Sequence, residues 1–248
     1  MSEVRLILNL RWNEVATLPR TDPLFLLPAS TLRTLNAYRS IHALERVLSP
    51  EIMPAFRLAY RALKVHCVSE GIYSSKFGYL SGIHLTMLLA RTTVLSPSNS
   101  TAEQLLRAFF ATYADWDWGN RAVTVPGLND EVEYARAVGR EPVVILTVER
   151  PTFNLVQFAN QHTLAAIKSS FERTQDMLRA GHPWVAVTGH GGLYGSGFKR
   201  VLKQYESVIK IDLSFWCASS VKARAWVSYV QSRLQHVCVF SMGRRYFY

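Results

Sequence analysis

The sequence predicts an α+β protein in which a mainly α-helical bundle over residues 24–120 precedes a smaller α+β module over residues 141–240. Two observations predict this architecture. In the first part, apolar residues recur about every three or four positions, which is the period of a helix with one buried face. In the second part, short stretches of alternating apolar and polar residues precede helical patterns, as expected of strands packed with helices.

The N-terminal part contains a predicted strand and a predicted helix. Residues 4–12 alternate in part and favour a strand, whereas residues 28–49 favour a helix entered near Ser30. The inner face of this helix carries Leu32, Leu35, Tyr38, Ile41, Leu44 and Leu48. Asn36 lies off that stripe, so from the pattern alone it is an exposed helix residue.

A helix, a loop and a second helix are predicted over residues 54–95. Pro54 suits the first turn of a helix over 54–69, and Gly71 suits its end. The predicted inner face of this helix carries Phe56, Ala59, Tyr60, Leu63 and Cys67. Residues 83–95 are apolar almost all round, which predicts a helix buried on several sides.

The loop between these two helices, GIYSSKFGYLSG, is the most informative stretch. Glycine allows backbone to approach a ligand closely, a tyrosine ring can stack on a base, and a lysine can contact a phosphate. A tight connection between two core helices, with the tyrosines capping the core, accounts for the same residues. On the pattern alone, that structural interpretation is favoured.

A further helix is predicted over residues 102–114, entered at Ser100 or Thr101 and with Glu103 in its first turn. Its inner face carries Leu105, Leu106, Phe109, Phe110 and Tyr113. Trp116 and Trp118 follow. They could form a base-stacking platform, but large aromatic side chains are more often core anchors, and that role is favoured here.

The second half is predicted to begin with a linker, because residues 119–140 are loop-like and contain Pro126, Gly127, Asn129 and Gly139. Two strand–helix pairs make up the α+β module: strand 143–148 with helix 163–179, and strand 207–215 with helix 221–239. Residues 189–197, GHGGLYGSG, could form a phosphate-binding loop. The G-K-[ST] ending of such loops is absent, so a flexible loop is favoured.

The composition limits the partners and the compartment. Lysine and arginine number 28 against 18 aspartates and glutamates, which favours nucleic acid, a nucleotide or an anionic surface as partner. The three cysteines, Cys67, Cys217 and Cys238, form neither a disulfide framework nor a zinc motif, so a reducing compartment is expected. We predict no signal peptide and no membrane partner, since the apolar runs are short. The expectation is a soluble intracellular protein.

The residues from Arg61 to Thr92, RALKVHCVSEGIYSSKFGYLSGIHLTMLLART, resemble the central domain of eukaryotic poly(A) polymerases. That family has an R-A-[IL]-K helix, a G-I-Y-S loop, G-[FY]-L-x-G, and then an apolar M-L-x-A-R-T helix. TLNAYR at 34–39 resembles its S-L-N-G-x-R, and YADWDWGN at 113–120 resembles its W-E-W-P-N. Weaker matches extend the resemblance to about residues 5–235.

The resemblance implies three regions. Residues 1–23 would be the remnant strand and linker of a catalytic domain, residues 24–140 the helical central domain with a linker, and residues 141–248 a partial RNA-binding α+β domain that is RRM-like. The aromatic signature usual in RNA-recognition domains is absent. The basic residues of this region would bind RNA phosphates weakly: Lys199, Arg200, Lys203 and Lys210.

The resemblance also implies a surface that contacts ATP. Lys64 would meet the triphosphate, and Tyr73 would meet the nucleotide by stacking or through its hydroxyl. Gly82 and Ile83 would line the adenine, and Asn36 would add a polar contact. Ser75 stands where the family usually has asparagine, and Ser81 where it usually has glycine. Either difference would weaken nucleotide binding.

Catalysis in the family uses a G-S motif and paired aspartates that bind two metal ions, upstream of the strand predicted at 4–12. The first acids of this sequence, Glu3, Glu14 and Asp22, do not have that spacing. Two-metal phosphoryl transfer requires such carboxylates. We therefore expect no catalytic and no metal-binding residue here, with Mg²⁺ or Mn²⁺ acting only if a catalytic head is supplied.

These implications define the leading hypothesis. The chain is a poly(A) polymerase-like protein of the polynucleotide adenylyltransferase family, which acts in mRNA 3′-end polyadenylation. It would contact ATP and the RNA 3′ end in the nucleus, and also mRNA 3′-processing proteins. It would be inactive alone.

The alternative is a non-enzymatic RNA- or protein-binding module derived from such an enzyme. A G-S motif and a D-x-D motif encoded in frame upstream would favour the polymerase. A phosphate-loop enzyme built on 189–197 is disfavoured by its missing lysine.

Overall fold

The structure, a computed structural model, describes residues 39–40, 42–129, 132–148, 152–184, 212, 214, 216 and 219–243. Within these ranges the chain is mainly helical. A helical segment covers residues 39–40 and 42–47. It is followed by α1 (Met53–Ser69), a short 3₁₀ turn (Ser75–Phe77), α2 (Gly82–Val94), α3 (Ala102–Ala114), α4 (Gln161–Arg179) and α5 (Ser220–Gly243).

Helix α1 confirms the helix predicted over 54–69. Pro54 lies in its first turn, where its missing N–H would have no intrahelical partner. The chain reverses after the helix at Gly71, whose φ of 71° is a conformation that glycine adopts without steric cost. Most of the predicted inner face is buried, but Tyr60 is only half-buried. Its hydroxyl is therefore available near the surface.

Helices α2 and α3 also follow the predicted pattern. Helix α2 is buried on most of its circumference, as its all-round apolar sequence predicted. Helix α3 covers the predicted residues 102–114. Its first turn is closed by a reciprocal cap, because the Thr101 side chain accepts from the Gln104 N–H at 3.3 Å and the Gln104 side chain accepts from the Thr101 N–H at 2.7 Å.

The core is centred on α3, which packs against α1, α2 and α4. Phe109, Phe110 and Phe171 form an aromatic cluster with ring centroids 5.2–5.5 Å apart in edge-to-face arrangements, which favour aromatic pairs beyond simple burial. The Tyr113 hydroxyl donates to the Leu88 carbonyl at 2.8 Å and so ties α3 to α2. These contacts bury the inner face predicted for α3.

The two tryptophans after α3 are core anchors, as the favoured interpretation held. Trp116 is 6% exposed and Trp118 3% exposed. The Trp116 indole N–H donates to the Arg121 carbonyl, and that of Trp118 to the Tyr113 carbonyl. Burying each ring while its N–H is bonded fixes the turn that leaves α3.

The strand predicted over 143–148 is wrong. The segment is extended, but in the described part of the chain it makes only isolated bridges, between Val123 and Ile145 and between Leu146 and Asn154. Backbone hydrogen bonds to Val123, Phe153 and Leu155 pair part of the segment, and two buried asparagine side chains bond other backbone groups in and around it. Asn129 accepts from the Val125 N–H and donates to the Thr147 carbonyl, and Asn154 accepts from the Ile145 N–H and donates to the Val143 carbonyl. Side-chain amides thus satisfy groups that a strand ladder would pair.

The region around residue 140 does not separate two cores. Val143, Ile145, Val148 and Val156 share one hydrophobic core with α1–α3, and α4 packs directly on α3. The boundary predicted at 140/141 therefore falls inside a single core. The predicted helix 163–179 lies within α4 and the predicted helix 221–239 within α5. No strand of an RRM-like module occurs among the described residues.

Several predicted features lie outside the described residues. They are the strand at 4–12, Asn36 and the first part of the helix over 28–49, the glycine-rich segment 189–197, and most of 198–215 with Lys199, Arg200, Lys203 and Lys210. Residues 39–40 and 42–47 agree with the predicted helix, and Leu44 is buried as expected. Across the described ranges, no helix combines the length and the apolar character that crossing a membrane requires.

Replacing Asn154 by aspartate is expected to lower the free energy of unfolding by about 1–3 kcal/mol, the cost of buried polar groups left unsatisfied. The Asn154 Nδ2 donates to Glu141 Oε1 at 3.1 Å and to the Val143 carbonyl at 2.9 Å, and a carboxylate would place acceptors against both. Urea unfolding measures the change. Asn99→Asp, the same replacement at an exposed site, is the control. Equal stability of the two variants would contradict this account of Asn154.

Candidate functional site

The loop between α1 and α2 positions Tyr73 beside Lys64. The Ser74 N–H donates to the Leu80 carbonyl at 2.9 Å, and the Leu80 N–H donates to the Ile72 carbonyl at 3.2 Å, so the loop closes on itself. Lys64 lies exposed on α1, and its Nζ is 5.7 Å from the centroid of the Tyr73 ring. At this distance the ammonium is attracted to the ring face while it stays open to solvent.

Two backbone features shape the tip of the loop. Ser74 has a φ of 151°, a value rarely adopted by residues other than glycine. Its carbonyl accepts from the N–H groups of both Phe77 and Tyr79 at 3.1 Å, which maintains that conformation. Gly78 has a φ of 81°, and a Cβ there would collide with the Phe158 carbonyl oxygen. The glycine is thus required for the loop to pack against the segment before α4.

Gly82, the first residue of α2, lies beneath two tyrosine hydroxyls. A Cβ at this position would be 2.9 Å from the Tyr60 Oη and 3.6 Å from the Tyr73 Oη. Tyr60, Lys64, Tyr73 and Gly82 therefore form one group, which we call the lysine–tyrosine cluster. It combines an exposed cation, two phenols and the N-terminal backbone of a helix, where N–H groups favour anions.

The Tyr60 phenol is held in its neutral form. Burial raises the pKa of Tyr60 above its ordinary value, and the neighbouring Tyr73 acts in the same direction, while the positive charge of Lys64 lowers it. The hydroxyl therefore keeps its proton at neutral pH and can donate a hydrogen bond. Sequence reasoning assigned Tyr60 only to the core face. Its position four residues before Lys64, on the same side of α1, was the available signal.

A buried histidine fixes the start of α2 beneath this cluster. The Ser81 N–H donates to the His84 Nδ1 at 3.1 Å, so the proton lies on Nε2, which donates to the Leu155 carbonyl at 3.2 Å. Burial lowers the pKa of His84 to about 4, and it remains neutral near pH 7. Ser81, which stands where the family usually has glycine, is thus the N-cap of α2.

The structure brings some of the predicted site residues together and leaves others apart. Lys64, Tyr73 and Gly82 meet in the cluster. Ile83 follows in the first turn of α2 and packs partly against the core. Ser75 is exposed at the start of the 3₁₀ turn, where its carbonyl accepts from the Gly78 N–H at 3.1 Å. Asn36 lies outside the described residues.

The carboxylates that the structure describes do not form a metal site. In the described ranges, no cluster of three or more histidine, cysteine, aspartate or glutamate residues could hold a metal ion. Asp115 and Asp117 do have D-x-D spacing, which the sequence-based expectation overlooked. Asp117 accepts hydrogen bonds from Asn120, and Asp115 lies 3.9 Å from Arg179. Both are exposed and belong to the turn after α3, so no metal-dependent step is derived from them.

The described residues form an α-helical domain in which an exposed lysine, two phenols and the N-terminus of α2 lie at one site. Comparison with known proteins defines the class of this domain. Residues 55–180, just over half of the chain, match the family model of the poly(A) polymerase central domain. The chain belongs to this family, which confirms the resemblance seen in residues 61–92.

Individual relatives agree with this assignment. The chain is 25% identical over 202 residues to a poly(A) polymerase of Dictyostelium discoideum, covering 76% of this chain and 23% of that protein. It is 25% identical over 216 residues to nuclear poly(A) polymerase 1 of Arabidopsis thaliana, covering 84% and 29%. It is 28% identical over 147 residues to a poly(A) polymerase of Entamoeba histolytica, covering 59% and 27%. The chain thus spans about a quarter of the length of these relatives.

Proposed function

We propose that this chain provides the ATP-contacting surface of a poly(A) polymerase-like protein that acts at RNA 3′ ends. The convergence of Lys64, Tyr73 and Gly82 in the lysine–tyrosine cluster carries the proposal. These residues lie far enough apart in sequence that only a folded loop brings them together. The cluster offers a charge for phosphates, a ring for a base and the N-terminus of a helix, which are contacts that suit a nucleotide.

In this proposal each residue binds or orients ATP. The Lys64 ammonium meets the triphosphate as a point charge, and the N-terminus of α2 adds its partial positive charge. Tyr73 contacts the nucleotide with its ring or hydroxyl, and Tyr60 donates a second hydrogen bond. Gly82 and Ile83 line the adenine. Ser75 and Asn36 complete the set implied by the resemblance.

Nucleotidyl transfer itself requires more than orientation. In the proposed reaction a 3′-hydroxyl attacks the α-phosphorus of ATP and pyrophosphate leaves. Bound Mg²⁺ or Mn²⁺ would activate the hydroxyl and neutralise the phosphates, held by the carboxylates of a catalytic head. The residues of this chain would position ATP beside that head. By themselves, these 248 residues are proposed to be inactive.

Replacing Lys64 by alanine is expected to weaken ATP binding roughly 10- to 100-fold, because a hydrogen bond to a charged group contributes about 1.5–3 kcal/mol. Primer extension with a catalytic head fused to the chain measures the effect as a higher ATP KM or a lower kcat. Tyr73→Ala should act in the same direction. The chain alone should leave the primer unextended in this assay. The control is Lys168→Ala, which removes an exposed lysine from α4.

Two outcomes would contradict this proposal. Unchanged kinetics in both Lys64→Ala and Tyr73→Ala fusions would reduce the loop to a structural turn. Primer extension by the purified chain alone, lost in Lys64→Ala, would show that these residues contain a complete active site.

The proposed RNA contacts lie towards the C-terminus. Lys199, Arg200, Lys203 and Lys210 would bind RNA phosphates, and mRNA 3′-processing proteins in the nucleus would be further partners. Helix α5 approaches the 3₁₀ turn of the loop, and its exposed cations extend positive charge towards that turn. They are Lys222, Arg224 and Arg233. RNA bound along α5 would then reach the cluster.

Oligoadenylate binding to the chain is expected to be weak and to fall steeply with salt, because phosphate contacts by lysine and arginine release counterions. Fluorescence anisotropy of a labelled oligoadenylate between about 50 and 200 mM salt measures the slope. Replacing all four of Lys199, Arg200, Lys203 and Lys210 by glutamine should flatten it. Absence of binding at low salt, or binding indifferent to salt, would count against the RNA contact.

A non-enzymatic module is the second candidate. Helix α5 exposes the aromatic side chains Trp226 and Tyr229 beside its cations, which would suit an RNA or protein partner without any chemistry. The kinetics of Lys64→Ala separate the two candidates, because a module that only binds RNA or protein does not use Lys64 to bind ATP.

A further inference from the structure

A cavity of about 360 Å³ opens between the helical segment at 42–47 and α1. One wall is apolar and consists of Leu44, Leu48, Met53 and Phe56. Leu44, Leu48 and Phe56 belong to the buried core, so this wall is held rigidly from behind. Small-molecule sites have volumes of about 300–1,000 Å³ and are lined mainly by apolar groups with a few polar ones. The cavity lies at the lower end of that range.

The opposite side of the cavity is polar. Arg57, Tyr60 and Arg61 project from α1, Thr86 from α2, and Glu45 from the first helical segment. The Thr86 hydroxyl donates to the Gly82 carbonyl at 2.9 Å, so its oxygen can still accept a hydrogen bond. Glu45 lies 3.2 Å from His42 and is more than half exposed, so it borders the entrance.

The two guanidinium groups are the strongest binding elements of the cavity. Arg57 and Arg61 are both exposed, and in the described part of the chain neither forms an ion pair with a carboxylate. They are four residues apart and lie on the same side of α1, and Lys64 continues the row three residues later. A planar guanidinium matches the oxygens of a phosphate in a bidentate manner.

The cavity adjoins the lysine–tyrosine cluster and shares Tyr60 with it, but the other residues of the two sites differ. Tyr60 lines the cavity, and its hydroxyl lies over Gly82 in the cluster. Thr86 lines the cavity and bonds the Gly82 carbonyl. Lys64, Tyr73 and Gly82 do not line the cavity. A ligand in the cavity would therefore neighbour ATP without replacing it.

We propose that this cavity binds one nucleoside 5′-phosphate unit, with its base against the apolar wall at Phe56 and Leu48 and its phosphate at Arg57 and Arg61. The shape and charge of the cavity carry this proposal. The position of the unit beside ATP rests on the proposed function. The unit is either a residue of an RNA strand or a free nucleotide, which share the same chemistry. The site would hold a second nucleotide next to the one that Lys64 binds.

Photolabelling with 8-azidoadenosine 5′-monophosphate tests the proposal in the 248-residue chain. Labelled peptides are mapped by mass spectrometry. Adducts are expected within residues 44–56, at the apolar wall of the cavity. Adducts confined to the loop around Tyr73, or no adducts at all, would overturn the proposal.

Matched variants separate the two sites. Arg57→Gln/Arg61→Gln keeps much of the apolar stems but removes both charges, and because both residues are exposed it should unfold at the same urea concentration as the wild type. Labelling within 44–56 should fall roughly tenfold or more in this variant. Lys64→Ala should leave that labelling unchanged while it weakens ATP binding. Lys168→Gln, which removes one exposed charge on α4, should affect neither.

These readouts fail independently. If labelling of the cavity is unchanged when Arg57 and Arg61 are replaced, the proposed second nucleotide site is wrong. The proposal of an ATP-contacting surface is not affected by that result. ATP binding that depends on neither Lys64 nor Tyr73 overturns the proposed function, while the nucleotide cavity is judged by its own labelling.

Competition identifies the source of the unit. If oligoadenylate suppresses the labelling at lower concentration than AMP does, the occupant is an RNA residue. If AMP competes and oligoadenylate does not, the occupant is a free nucleotide. Inorganic phosphate that competes as well as AMP would show an anion site in which the base contributes nothing, and would overturn the nucleotide assignment.

Discussion

Replacing Arg173 by alanine is expected to lower the free energy of unfolding by about 3–5 kcal/mol, the largest effect that we predict for a single side chain. Arg173, on α4, forms an ion pair and hydrogen bond with Glu70, directly after α1. The Glu70 side chain is only 1% exposed. Alanine would remove the guanidinium while the carboxylate stays buried, and a buried charge that loses its counter-charge is costly.

Urea unfolding of the purified chain measures this loss. Lys168→Ala is the matched control on the same helix, because Lys168 and Glu172 are 3.7 Å apart and about half exposed. Exposed pairs contribute about 0–1 kcal/mol, so this variant should be nearly neutral. Glu70→Gln/Arg173→Met removes both charges and should recover much of the loss. If Arg173→Ala were as stable as the control, the pair would not hold α4 against α1.

Lowering the pH from 6.5 to 4 is expected to remove about 3 kcal/mol of stability through His84 alone. The pKa of His84 is lowered from 6.5 to about 4 by burial in the folded chain. Between these two values the unfolded chain binds the proton and the folded chain does not. The contribution of His84 is therefore complete above pH 6.5 and is lost as the pH falls towards 4.

His84→Gln provides the comparison for this prediction. Glutamine cannot titrate, so the free energy of unfolding of the variant should depend less on pH between 4 and 6.5 than that of the wild type. Carboxylates titrate in both proteins and cancel in the difference. Unfolding free energies measured at about half-unit steps of pH define the two curves. Parallel curves would show that His84 is not neutral and buried beneath the loop.

Helices α1, α2 and α3 were predictable because their signals are local. The apolar period selects the buried face, Pro54 suits the first turn of α1, and the Thr101 cap defines the start of α3. The core role of Trp116 and Trp118 was also predictable, since their size favours burial whatever their neighbours are. The family was recognisable from the same segment, because its loop and both flanking helices lie in one continuous stretch.

The segment 143–148 shows where local reasoning failed. Its residues suit a strand, but whether they form one depends on partners elsewhere in the chain. Asn129 and Asn154 bond its backbone from two separate loops, and only folding brings them there. The D-x-D spacing of Asp115 and Asp117 was overlooked, and only its contacts with Asn120 and Arg179 show that it belongs to a turn.

The sequence by itself determined the helices of residues 53–114, the helix before residue 180, and the membership of the poly(A) polymerase family, since periodicity, caps and contiguous motifs act over a few neighbouring residues. Tertiary structure decided the rest. It joined residues 143–178 to the same core, paired Arg173 with Glu70, and placed Tyr60 over Gly82. These contacts link residues from 22 to 103 positions apart. Local sequence patterns carry no information about such distances, because packing of the whole core sets them.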